Sequence, residues 1–237
     1  MDWKRWAQTL PTEPGQTGVT ARICFQDTNT LQYSLPISTA QRQQLTTFCI
    51  RHQVGEFAVL FALLVWQMRK YGAKTPTALL FFTAGRSHVQ PFNTLGYFSF
   101  LMPYVVNGGE EPEIFSVFVR QIETELARLR QREQGFLSLY QQDASQTLIA
   151  QSPIFDYQKL YTRAPEAIWS RMRPFECLGV QNPFSFRIFD YGEQAELSVF
   201  YRRNTAGLGE TDVLRLARTY IKLWNELFQE PNGSDLC

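Results

Sequence analysis

Histidine is nearly missing from this chain: only His52 and His88 occur in 237 residues. General acid–base catalysis draws on histidine more than on any other side chain, so few such arrangements are open here. An excess of charge is missing too. Lys and Arg number 23, Asp and Glu 22, for a net charge of +1, which leaves no electrostatic footprint for nucleic acid or an anionic membrane. Cys24, Cys49, Cys177 and Cys237 are scattered, with neither metal-ligand spacing nor a disulfide framework. The longest apolar run, FAVLFALLVW (57–66), is too short to span a bilayer. The opening MDWKRWAQTL is polar and aromatic rather than a charged-then-apolar leader. No G-x-S-x-G elbow, G-x-x-x-x-G-K phosphate loop or H-E-x-x-H zinc pair occurs. The expectation is a cytoplasmic protein with reduced thiols, no metal site, and no membrane or nucleic-acid partner.

Core material is plentiful. Hydrophobic residues make up 44% of the chain against 19% charged, and Phe alone occurs 19 times. Such aromatic wealth fits an aromatic core, or surface belonging to an interface or tunnel. Residues 1–20, with PTEPGQTG, read as an arm or linker. ARICFQ (21–26) and LQYSLP (31–36) read as a hairpin. STAQRQQLTTFCIRHQ (38–53) predicts a helix with Ser38 and Gln41 as a capping box, and Leu45, Phe48, Cys49 and His52 on one face. After Gly55, EFAVLFALLVWQMRKYG is apolar nearly all round and predicts a central helix stopping at Gly72. TALLFFTAG (77–85) and GYFSFLMPYVV (96–106) read as strands buried on both faces.

Pro112 is expected to open the next helix, with acids in its first turn and a stripe of Phe115, Phe118, Ile122, Leu126 and Leu129. SPIFDYQKLY (152–161) reads as a strand, and PFSFRIFDY with AELSVFYRR as a hairpin across Gly192. ETDVLRLARTYIKLWNELFQ closes the chain as a helix with a stripe from Val213 to Phe228. The class is α/β, a mixed β-sheet with packed helices.

His52, on an apolar helix stripe, reads as a structural histidine meeting C-terminal carbonyls, with catalysis as the alternative. His88 is the catalytic candidate carried forward. It follows Arg86 and Ser87 in a loop, and sequence adjacency to a serine does not supply the geometry of a dyad.

Four segments together resemble the C-terminal lobe of a nonribosomal peptide synthetase condensation domain, a member of the chloramphenicol-acetyltransferase-like acyltransferases. They are LTTFCIRHQVGEFAVLFALLVWQMRKYG, FFTAGR followed by LGYFSFLMP, SPIF (152–155), and VFYRRNTAGLGETDVLRLARTYIKLWNELF. The resemblance implies one lobe of the acetyltransferase-like fold over 21–229 and a flexible tail over 230–237. The family's His-His-x-x-x-Asp-Gly signature belongs to the other lobe and occurs nowhere in this sequence. Two further departures stand within the lobe itself: Phe100 where the family usually has Asn, and Gln141 where it has His.

What the resemblance implies is half of a split condensation catalyst in natural-product assembly, forming one wall of a tunnel where carrier-bound acyl and amine substrates are joined. The base would come from a separate N-terminal lobe. The phosphopantetheine arm of a carrier protein would be the substrate tether, with no cofactor bound directly. A sheared lobe exposes the face its sister covers, and monomers rarely tolerate large apolar patches. The chain is therefore expected to pair with such a lobe, or with itself, through Arg86, Tyr97, Phe98, Ser99, Phe100, Phe184 and Phe186, unless these are internal core. The alternatives are a non-catalytic module that binds a carrier protein or organises an assembly line, and a stand-alone acyltransferase using His88 or His52. Met1 and the ending EPNGSDLC fit a complete small protein; a cloned fragment fits equally.

Overall fold

The computed structural model of the chain describes residues 8–10, 20–23, 30–71, 76–83, 100–108, 114–132, 150–160, 182–192, 194–202 and 208–228. Among them, seven strands form one mixed sheet: β1 (Thr20–Ile23), β2 (Thr30–Ile37), β3 (Thr77–Thr83), β4 (Phe100–Val106), β5 (Ile154–Lys159), β6 (Ser185–Asp190) and β7 (Ala195–Arg202), in the order β1-β2-β7-β6-β5-β3-β4. β3, β5 and β6 are parallel neighbours, while every other adjacent pair is antiparallel. β4 forms one edge and carries Pro103, which lacks the N–H that a central strand must donate.

Four helices of a turn or more beyond the minimum pack on this sheet: α1 (Thr39–His52), α2 (Glu56–Lys70), α3 (Phe115–Gln131) and α4 (Glu210–Phe228). Side chains alternate along a strand, and one parity of each strand joins the helices in a single core. From β2 these are Leu31, Tyr33, Leu35 and Ile37; from β7, Leu197, Val199 and Tyr201. α2 lies at the middle, with every side chain from Ala58 to Met68 buried, as its all-round apolar sequence predicts. Phe61 packs its ring among Phe57, Phe81, Tyr104 and Phe155. Three polar contacts fix α2 and its neighbours. Tyr220 donates to the Leu60 carbonyl at 2.8 Å, Gln67 to the Leu216 carbonyl at 3.1 Å, and Gln41 to Asn225 at 2.9 Å.

The capping box is present in full: Ser38 N–H donates to Gln41 Oε1 at 2.8 Å, and Gln41 N–H to Ser38 Oγ at 3.2 Å. The hairpin of β6 and β7 turns at Gly192, whose φ of 94° suits glycine. Two expectations need adjustment. α3 begins at Phe115, with Ile114 at the N-cap position making no side-chain cap and no acid in the first turn. Residues 8–10 of the expected arm are docked: Leu10 is buried in the core, and the Thr9 hydroxyl donates to the Tyr71 carbonyl. The expected helix stop at Gly72 and the tail over 230–237 lie outside the described residues.

Candidate functional site: a polar row across the sheet

The second face of the sheet carries a different chemistry. Opposite parity places Gln32 and Ser34 of β2, Glu196 and Ser198 of β7, Ser185 and Arg187 of β6, and Asp156 and Gln158 of β5 on it. The register then does something that no single strand encodes. Asp156 is the partner of Arg187, Arg187 of Ser198, and Ser198 of Ser34. These four residues form a transverse row across four adjacent strands.

The row is hydrogen-bonded across β2 and β7, and within β5 and β6 to the next residue on the same face. Gln32 Nε2 donates to Ser34 Oγ at 3.1 Å and to Ser198 Oγ at 3.0 Å, and the two serine hydroxyls are 2.7 Å apart. Ser198 also donates to Glu196 at 3.2 Å. Arg187 Nε donates to Ser185 Oγ at 2.8 Å, and its guanidinium lies 5.3 Å from the ring centre of Phe200 and 5.9 Å from that of Phe82, within cation–π range. Gln158 Nε2 donates to Asp156 at 2.6 Å. Ser198, Ser185 and Asp156 are all buried. Burial pushes the Asp156 carboxyl above its ordinary range, and the Arg187 charge and the Gln158 hydrogen bond pull against that rise.

This arrangement offers donors and acceptors in alternation along a buried strip. It holds no histidine, and its serines are bonded to each other, to an amide and to a carboxylate. A serine nucleophile needs a base within hydrogen-bond reach that is poised near neutrality. Among the described residues, no histidine reaches these serines to serve as that base.

Of the residues expected at a tunnel or lobe interface, Phe184 and Phe186 are fully buried on the helix side. The Phe186 ring packs 4.7 Å from Tyr220 and 6.4 Å from Phe155. They belong to the internal core, because their parity on β6 is opposite to that of Arg187. Phe100 opens β4, its backbone paired with Thr83. Arg86, His88, Tyr97, Phe98 and Ser99, like Gln141, lie outside the described residues. His52 ends α1 with its ring 4.4 Å from Phe48. Burial and the charges of Arg120 and Arg51 hold its imidazole below the usual histidine range. Burial, with Glu56 adding to it, pushes the Cys49 thiol up to about 12, which disfavours the thiolate. Among the described residues, no three His, Cys, Asp or Glu side chains are grouped to hold a metal, and no single helix is long and apolar enough to cross a membrane.

The architecture is the one found in a set of solved structures from peptide and polyketide assembly. The chain superposes on the condensation domain of the Monacolin K polyketide synthase MokA with a TM-score of 0.66 at 12% identity, covering 97% of itself and 57% of that chain. On the epimerization domain from the third module of tyrocidine synthetase B the values are 0.62, 15%, 96% and 57%. The X-domain from teicoplanin biosynthesis, solved in complex with OxyB, gives 0.63, 13%, 97% and 53%. The fold is that of one lobe of these condensation-type structures, and the chain spans little more than half of their length. No protein-family model and no curated protein matches the sequence.

Proposed function

We propose that this chain is one half of a split condensation-type assembly in nonribosomal peptide or related natural-product biosynthesis. A partner polypeptide supplies the other lobe and with it the His-His-x-x-x-Asp-Gly base. The observation that carries this reading is the match of nearly the whole chain to little more than half of each condensation-type structure. The shortage of histidine supports it, since one of the two is packed against Phe48 at the end of α1. In this reading the chain walls one side of a tunnel, and a carrier protein's phosphopantetheine arm brings each substrate in. Orientation of the two tethered substrates is then the chain's contribution to rate, and the partner lobe's histidine contributes the proton transfer. The β4 edge, where Val105 is 53% exposed on the face that also carries the polar row, is surface for that partner. The assembly works in the cytoplasm.

A second reading is a non-catalytic module that docks a carrier protein or organises an assembly line. The polar row favours it, because no histidine among the described residues is hydrogen-bonded to its serines. Native mass spectrometry of the purified chain, alone and with a first-lobe protein encoded beside it, separates the two. A stable one-to-one complex that forms amide product supports the split catalyst. A complex without product supports the module, and a monomer that ignores the candidate removes the first reading.

A further inference from the structure

Three asparagines fall among the described residues, Asn107, Asn182 and Asn225, and the groups around them differ. A side-chain amide is lost spontaneously when the backbone nitrogen of the following residue attacks Cγ. That nitrogen must carry a proton it can lose, be free of hydrogen bonds, and be uncrowded. Asn182 fails on the first count. Pro183 follows it, and a proline nitrogen carries no proton; the Asn182 amide is also held, donating to the Ser152 carbonyl at 2.9 Å. Asn225 fails on the second. It lies inside α4, where the next N–H, that of Glu226, belongs to the helix ladder, and its Oδ1 accepts from Gln41 at 2.9 Å.

Asn107 meets all three conditions. The β3–β4 ladder ends at the pair of Thr77 and Val106, so Asn107 and Gly108 are the first residues beyond it, and both are exposed. Neither the Asn107 side chain nor the Gly108 amide has a hydrogen-bond partner among the described residues. Gly108 has no Cβ to crowd the approach of its nitrogen.

We propose that Asn107 and Gly108 form a self-modifying junction, where the chain converts its own asparagine to aspartate and isoaspartate with water as the only co-reactant. The Gly108 nitrogen gives its proton to hydroxide and attacks Asn107 Cγ. The bond from Cγ to the side-chain nitrogen breaks, and that nitrogen takes a proton from water and leaves as ammonia. Water then opens the cyclic imide. Attack at Cγ restores the original chain path with an aspartate, while attack at the Asn107 backbone carbonyl routes the chain through Cγ as isoaspartate. Either product exchanges a neutral amide for a carboxylate two residues from Val105, the exposed apolar residue of the β4 edge. That edge therefore gains negative charge as the chain ages, and in one direction only.

The test incubates the full chain in neutral and mildly alkaline buffer, with and without urea. Digestion and tandem mass spectrometry locate each converted residue, and methylation by an isoaspartyl methyltransferase marks isoaspartate. Asn107 should show the mass gain of amide-to-acid exchange, faster at the higher pH, at a rate that urea changes little. Asn225 should convert only in urea, and Asn182 in neither condition. Asn107→Gln should abolish the gain, because the ring would have to be larger by one atom. Among the described glycines only Gly192 has a positive φ, so Gly108→Ala introduces no left-handed strain. It should slow conversion severalfold while the urea midpoint stays where it was. Conversion at Asn107 that is absent, suppressed by folding, or undiminished in folded Gly108→Ala overturns the proposal.

Discussion

The hydroxyls of Ser34 and Ser198 lie 2.7 Å apart across the β2–β7 pair, both buried, and both accept from the same amide of Gln32. Three side chains from two strands far apart in the chain thus satisfy one another at the middle of the sheet. Ser198→Ala removes the shared partner and should cost about 1–3 kcal/mol. Urea unfolding of Ser34→Ala, Ser198→Ala and the double variant should give less than additive losses. Additive losses would mean that the hydroxyls act independently.

The Asp156 carboxyl is raised above its ordinary 3.8 by burial, so the folded chain holds its proton at pH values where the unfolded chain has released it. The stabilisation from the protonated form is complete below the ordinary value and is lost as pH rises through the elevated one. Asp156→Asn lacks this titration. Its stability relative to the wild type should therefore rise as pH climbs from the ordinary 3.8 through the elevated value and level off above it, as read from urea midpoints on a pH series. A difference that stays flat would mean that Arg187 fully compensates the buried charge.

His52 shows the mirror case. Burial, Arg120 and Arg51 lower it from 6.5, so the unfolded chain takes up a proton that the folded chain resists. Stability should fall as pH drops through the ordinary histidine value, and His52→Gln should lose that part of the slope. An NMR titration placing His52 above 6.5 would reverse the sign and restore the reading in which helix carbonyls favour its cation.

Phe61 has no exposed surface and touches four aromatic rings drawn from α2, β3, β4 and β5. Phe61→Ala should cost about 3–5 kcal/mol, and Phe61→Leu markedly less, because the cavity left behind sets the penalty. Thermal or denaturant midpoints measure both. A small loss for the alanine variant would show that the surrounding rings can collapse into the gap.

Much of this was legible before the structure because it is local. Ser38 and Gln41 sit three apart and cap α1 as their spacing predicts. The buried stripe of α3 contains Phe115, Phe118, Ile122 and Leu126 as its periodicity predicts. The polar row was not legible. Its signal, polar residues at alternate positions in TLQYSLPI, IFDYQK, SFRIFD and AELSVFYR, is visible in each strand. Its assembly depends on registers between strands far apart in sequence, which short-range patterns do not carry. For the same reason the sequence left Phe184 and Phe186 open between interface and core: alternation says that they share a face with Ile188, and only the sheet order says which face the helices cover.

The pairing of Thr30 with Arg202 also sets a timetable. At about 5–20 residues per second, roughly ten to thirty seconds of synthesis separate the emergence of β2 from that of the strand between it and β6. During that interval β2 waits with one unpaired edge, the situation in which nascent strands pair with the wrong neighbour, whereas β6 is made immediately before β7 and waits only briefly. The sheet can close only once β7 has emerged, so truncating β7 would leave two half-sheets with no strand to join them.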